Sequence, residues 1–123
     1  MDEQTIRKQG GDCDCGASGI GYAITESLLN EGAKVVIADF NEQKMQEIEA
    51  AHIGNVLAIK TNVTVEQEVE KLVNKTIETF GQLDYSFNVA GASKAAPITD
   101  LSENDWDFTV DLCLKGVFLC VKH

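Results

Sequence analysis

The sequence predicts an α/β fold, a doubly wound parallel sheet that is incomplete, with about four strands and flanking helices. Three observations predict it. Short strand-like apolar runs alternate with blocks of helical periodicity along the 123 residues. Gly32 and Gly81 fall where helices should stop. Lys34–Ala38 (Lys-Val-Val-Ile-Ala) is apolar after its first residue, as a strand covered on both faces must be.

Each element has a local reason. Over residues 19–31, Ile20, Ala23, Ile24 and Leu28 recur at helical spacing. The Lys34–Ala38 strand follows. Asn41 is a candidate cap for a helix carrying Met45 and Ile48. Residues 55–60 read as another strand. Thr64 with Gln67 forms a capping-box pattern ahead of a helix through Val69, Leu72, Val73, Ile77 and Phe80. Leu83–Phe87 is a weaker strand, because it contains Asp84 and Ser86. Ser102 with Asp105 opens one last helix through Trp106, Val110, Leu114, Val117, Phe118 and Val121 to the end of the sequence. Trp106 and Phe118 are expected in the core or between helices.

Composition narrows the function. Lys and Arg number 10 and Asp and Glu 20, a net charge of −10. Such a surface repels phosphate backbones and anionic lipids, so no nucleic acid and no membrane partner is expected. No apolar run is long enough to span a bilayer, and the first eight residues hold no signal-peptide core. A cytoplasmic location with reduced thiols follows for Cys13, Cys15, Cys113 and Cys120. Asp12-Cys13-Asp14-Cys15 has metal-ligand residue types, but neighbours in a strand point to opposite faces, so no metal site is expected. His52 is expected to be exposed and His123 mobile.

The chemistry-bearing signal is a glycine loop followed by an acid. Gly19-Ile20-Gly21 opens the first helix, preceded by Ser18. Glycines there let a pyrophosphate approach the backbone N–H groups, where the helix dipole favours an anion. Asp39 closes the next strand, with Phe40 beside it. A carboxylate at that spacing can accept hydrogen bonds from ribose hydroxyls. It repels a 2′-phosphate, which favours NAD over NADP.

Cys15-Gly16-Ala17-Ser18-Gly19-Ile20-Gly21 resembles the T-G-x-x-x-G-I-G motif of the short-chain dehydrogenases/reductases. The resemblance continues through Glu31–Asp39, similar to that family's second strand and its NAD-selecting acid. Asn62-Val63-Thr64 is similar to its D-V-T segment, whose side chain meets the adenine. Asn88-Val89-Ala90-Gly91 is similar to its N-N-A-G, beside the cofactor. Trp106-Asp107 and Leu114–Phe118 resemble its W-D…N-L-x-G-V-F helix. The match covers roughly residues 8–123. It implies a Rossmann-like sheet ordered 3-2-1-4, forming one partial dinucleotide-binding domain over residues 1–123 with 1–7 disordered. It also implies cofactor contacts from Ser18, Gly19, Ile20, Gly21, Asp39, Phe40, Asn62, Val63, Asn88, Ala90 and Gly91.

The sequence departs from that family in four ways. Asp14-Cys15 stands where Thr-Gly is usual, adding a charge and a side chain near the pyrophosphate. The first strand, placed by the motif at residues 8–14, carries two glycines and two acids. Cys113 falls on the family's catalytic Asn position. No Tyr-x-x-x-Lys is present, since Tyr22 is followed four residues on by Glu26 and Tyr85 by Val89. No catalytic residue is therefore assigned within the 123 residues. The resemblance implies an N-terminal piece of an NAD-dependent oxidoreductase acting on an alcohol or carbonyl, inactive alone. The alternative is a non-catalytic nucleotide-binding or self-associating fragment. An unpaired edge at the fourth strand and apolar groups on the last helix predict a homo-oligomer or self-association.

Overall fold

The computed structural model describes the backbone of residues 5–9 and the whole of residues 19–123. Its elements run β1 (Thr5–Gln9), α1 (Gly19–Asn30), β2 (Lys34–Asp39), α2 (Glu42–Ala51), β3 (Val56–Lys60), α3 (Glu66–Phe80), β4 (Tyr85–Phe87), α4 (Glu103–Val110) and α5 (Gly116–Lys122). A π-helical turn, Asp111–Lys115, joins the last two helices. The four strands pair in parallel in the order β3-β2-β1-β4, as expected.

The sheet is assembled around β2. Val35, Val36, Ile37 and Ala38 are fully buried. Their alternation divides them between two layers. Val35 and Ile37 pack with Met45 and Val56, flanked by Leu28, Leu29 and Ile48 from α1 and α2. Val36 and Ala38 pack with Leu72, flanked by Phe80, on the α3 side. A third cluster joins α3 to the last helix through Val63, Val69, Leu112, Leu119 and Cys120.

Several expectations are corrected. The central strand is described over Thr5–Gln9, so it begins before residue 8 and takes residues 5–7 into the sheet. Thr-Ile-Arg-Lys-Gln lacks the glycines and acids of the later stretch and begins with two β-branched residues, which suits a strand paired on both sides. Residues 10–14 lie outside the described residues, and so does the Asp12–Cys15 cluster.

Thr64 does not cap α3. The N-cap position is Val65, which makes no side-chain bond there. The turn is built by Asn62 instead. Its Oδ1 accepts from the Thr64 N–H at 3.0 Å and the Thr64 hydroxyl at 2.6 Å. The Asn62 N–H in turn donates to Glu68 Oε1 at 3.2 Å. An Asx turn competes directly with a capping box for the same backbone donors.

The last helix has the expected Ser102 cap, with the Asp105 N–H donating to Ser102 Oγ at 3.1 Å. It is interrupted by the π turn, which periodicity alone does not reveal. Trp106 and Phe118 are exposed rather than in the core. His52 is half-buried as the C-cap of α2.

His123 is held rather than mobile. Glu66 at the start of α3 accepts from Lys122 Nζ and contacts His123 Nε2 at 3.0 Å. The Lys122 bond first, then the His123 bond, holds the Glu66 carboxyl below the ordinary glutamate range. A lowered folded-state pKa contributes stability above the ordinary value, and that contribution is lost as pH falls through the lowered one. Protection of the amides over residues 119–123, relative to their intrinsic exchange rates at each pH, is therefore expected to fall only in acid. In Glu66→Gln that protection should be low already at neutral pH. Identical exchange in both proteins would remove the latch from this account.

Candidate cofactor site

Every strand of a parallel sheet points its C-terminal end to the same edge, and the candidate residues gather there. β2 ends on Asp39, β3 is followed by Thr61-Asn62, and β4 is followed by Asn88. The chain runs outward from β1 to β2 and β3, then returns to place β4 on the opposite side of β1. That reversal opens a crevice between β1 and β4, where open α/β sheets take their ligands.

α1 begins at this edge. Gly19 has φ of +57°, a left-handed conformation that glycine adopts without strain. Gly21 is buried, and its carbonyl accepts from Thr25 Oγ1 at 2.9 Å. Ile20 is exposed. The first turn of α1 carries no acid, whereas those of α2, α3 and α4 all do. Within α1 itself no acid therefore offsets the positive end of the dipole, which favours an anion. Ser18 lies outside the described residues.

Asp39 is 3% exposed. Its Oδ1 accepts from the Phe40 N–H at 2.7 Å, and its carbonyl accepts from the Thr61 N–H at 3.2 Å. The strand register sets it opposite Lys60, which reaches Glu42 at 3.9 Å. Phe40 is half-buried beside it.

The far wall is the segment after β4. Val63, Asn88 and Ala90 share one narrow crevice with Leu112, Gly116, Val117 and Cys120. Val63 is 1% exposed, with its side chain packed into the core. Asn62 is half-buried, with its Oδ1 committed to Thr64. The last helix fastens this wall at two points. The Cys113 thiol donates to the Ala92 carbonyl at 3.5 Å, and the Lys94 N–H donates to Thr109 Oγ1 at 3.4 Å. Gly91 faces the same thiol, and a Cβ there would sit 3.7 Å from the sulfur.

Sequence reasoning put Gly19–Gly21 at the start of a helix and Asp39 at the end of a strand, as the structure has them, but missed three contacts: Glu68 behind Asn62, Thr109 behind Lys94, and Gly116 against Val63. Only Gly116 carried a signal, as a glycine inside a helical pattern. Among the described residues, no group of three or more His, Cys, Asp or Glu could hold a metal ion. No helix among them is long and apolar enough to cross a membrane.

Solved structures share this arrangement. A short-chain dehydrogenase/reductase from Burkholderia phymatum, solved in complex with NAD, superposes with a TM-score of 0.88 at 27% identity, covering 98% of this chain and 42% of that one. A glucose/ribitol dehydrogenase-type member from Brucella melitensis gives a TM-score of 0.87 at 28% identity, covering 98% and 49%. A family model described as enoyl-(acyl carrier protein) reductase matches residues 16–123. The chain belongs to the short-chain dehydrogenase/reductase family. An uncharacterized oxidoreductase of Staphylococcus aureus strain MRSA252 is 39% identical over 107 residues, 85% of this chain and 46% of the relative. The 2,5-dichloro-2,5-cyclohexadiene-1,4-diol dehydrogenase of Sphingobium indicum is 35% identical over 109 residues, 88% and 44%. The chain thus spans about half the length of the curated relatives it matches. The relatives named for an activity are oxidoreductases, and this chain carries the family's Rossmann-like sheet in incomplete form.

Proposed function

We propose that this chain forms the cofactor-holding half of an NAD-preferring oxidoreductase that moves a hydride between an alcohol and a carbonyl. The observation that carries the reading is Asp39, buried at the C-terminal end of β2 and oriented by the Phe40 N–H. A carboxylate fixed there accepts from a ribose diol and repels a 2′-phosphate. Gly19–Gly21 fit a pyrophosphate at a helix end free of acids. Asn62 and the Asn88–Gly91 segment close the sides. When bound, the nicotinamide supplies the hydride acceptor or donor. This chain's residues bind and orient the dinucleotide, and hold the wall beside it through Cys113 and Thr109.

Neither Tyr22 nor Tyr85 has a lysine four residues on. Tyr22 lies between α1 and α2, beside Lys44, Glu47 and His52. Burial first, then the Glu26 carboxylate that it bonds at 3.3 Å, push its hydroxyl up. Tyr85 lies on β4, with Val89 where the family's lysine spacing falls. The 123-residue chain alone is expected to give no turnover with NAD and any simple secondary alcohol. Steady NADH production would refute this.

Binding tests the cofactor assignment. Titrations of NADH and NADPH, followed by nucleotide fluorescence, should favour NADH. Hydrogen bonds to a charged group contribute about 1.5–3 kcal/mol, or roughly 10- to 150-fold in affinity. Asp39→Ala should lose a factor in that range for NADH and little for NADPH. Equal affinities in the unaltered chain would overturn the role of Asp39. Absence of binding by either nucleotide would overturn the cofactor-holding reading itself.

A further inference from the structure

Among the described strands, β3 and β4 form the two edges of the sheet. β3 spans five residues and β4 three. Val-Leu-Ala-Ile over residues 56–59 carries no charge and no proline. An edge of that composition is a template for pairing with another chain. The register shows which of its backbone groups face outward. The Val35 N–H donates to the Asn55 carbonyl, and the Thr61 N–H donates to the Asp39 carbonyl. Alternate residues of a strand bond to the same neighbour. Residues 55, 57, 59 and 61 therefore serve β2, while Val56, Ala58 and Lys60 turn their backbone groups to the open side.

Helix α2 contacts each of the three. The Val56 N–H donates to the carbonyl of His52, the C-cap of α2, at 3.1 Å. The Ala58 N–H donates to Glu49 Oε2 at 2.6 Å. The Lys60 ammonium reaches Glu42 at 3.9 Å. The first contact comes from the tight return of helix to strand, since the Asn55 N–H donates to the same carbonyl. The second does not: it spans nine residues and depends on one side chain. Glu49 also sits in the last turn of α2, where the negative end of the helix dipole disfavours a carboxylate. It is half-buried there, and its bond to the edge amide is of the short, charge-assisted kind. Local helix chemistry gives no reason for an acid at this position, whereas the strand edge does.

We infer that Glu49 guards the β3 edge: its carboxylate occupies the Ala58 N–H and thereby keeps a second copy of this chain from adding there. The occupant follows from the strand's own symmetry. A two-fold axis at Ala58 makes an antiparallel pair in which Ala58 faces Ala58 of the other copy and Val56 faces Lys60. The outward set 56, 58 and 60 then meets itself. Ala58 brings the smallest side chain of the strand to the axis. The two Lys60 residues fall at opposite ends of the pair, so their charges are not opposed. With Glu49 in place, the two carboxylates block both bonds that the Ala58 pair would exchange, and they meet as like charges.

Glu49→Gln and Glu49→Ala separate the guard from the fold. Gln keeps a side-chain carbonyl that can accept from Ala58, and Ala keeps none. At low concentration the Ala58 amide should lose about 10- to 150-fold of its exchange protection in Glu49→Ala, the range for losing a hydrogen bond to a charged group, and far less in Glu49→Gln. At high concentration, sedimentation velocity should show Glu49→Ala taking an association step that neither the unaltered chain nor Glu49→Gln takes, with an unchanged circular dichroism spectrum. Ala58 should regain protection in the associated species. Equal Ala58 protection in all three proteins would overturn the inference. So would Glu49→Ala sedimenting like the unaltered chain, or Glu49→Gln associating as Glu49→Ala does. Association with loss of helical signal would assign it to unfolding, and association that leaves Ala58 exchanging freely would assign it to another face; either overturns the guard. None of these readouts depends on nucleotide binding.

Discussion

Ile37→Ala is expected to lower the stability of the protein by about 2–5 kcal/mol, the range for truncating a fully buried Ile to Ala. Ile37 is 0% exposed at the middle of β2, packed with Val35, Met45 and Val56. β2 is covered on both faces and paired on both sides, so no neighbour can collapse into the hole without moving a strand. Domains of this size hold about 5–15 kcal/mol in total, so the loss is a large share of the whole. Urea denaturation should show a lower midpoint with an unchanged slope. Ile20→Ala is the control: Ile20 is 72% exposed at the start of α1, and its truncation should stay within about 0.5 kcal/mol. Comparable losses from the two variants would contradict a core centred on β2. Because Asp39 ends the same strand, Ile37→Ala should weaken nucleotide binding only through its unfolded fraction, so saturating NADH should recover stability.

The strand–helix alternation was legible because each element carried its own local signal. The β-branched Val35–Ile37 run, the left-handed Gly32 and Gly81 and the Ser102 cap are each decided within a few residues. Asp39 was legible for the same reason, as the acid closing a strand at a fixed spacing from Gly19. What escaped was decided between elements. The start of β1 is set by its pairing to β2 and β4, and the glycine motif drew the expected strand several residues too late. The Asx turn at Asn62 won over the Thr64 cap because Glu68, on the next helix, holds the Asn62 N–H from behind. Trp106 and Phe118 fit a core-facing helical pattern equally well from either side. Only the packing of Leu112 and Leu119 against Val63 and Val69 decides which side faces in. Val63 shows the same limit at the site: its place in the motif suggested cofactor contact, while its side chain is spent on the core.

Gly116→Ala is expected to destabilise the protein, against its local propensity. In a helix interior this change ordinarily gains about 0.8–1 kcal/mol. Here a Cβ would sit 2.9 Å from Val63 Cγ2, closer than carbon atoms tolerate. Val63 cannot step aside. It is 1% exposed, packed with Val69, Leu112 and Leu119, and stiff at χ1 because it is β-branched. Overpacking of this kind costs about 1–3 kcal/mol, enough to reverse the propensity gain. The contact is pairwise, so its removal from the other side should relieve it. In a Val63→Ala background the Gly116→Ala step should become neutral or favourable, with a coupling of about 0.5–3 kcal/mol in a double-mutant cycle. The consequence reaches the cofactor wall, because Val63 and Gly116 lie against Asn88 and Ala90 in one crevice. Gly116→Ala should therefore weaken NADH binding more than its unfolded fraction explains, and the double variant should regain part of that loss. A plain gain of stability from Gly116→Ala alone would mean that the helix and the Asn62–Val63 turn do not approach as closely as the structure has them.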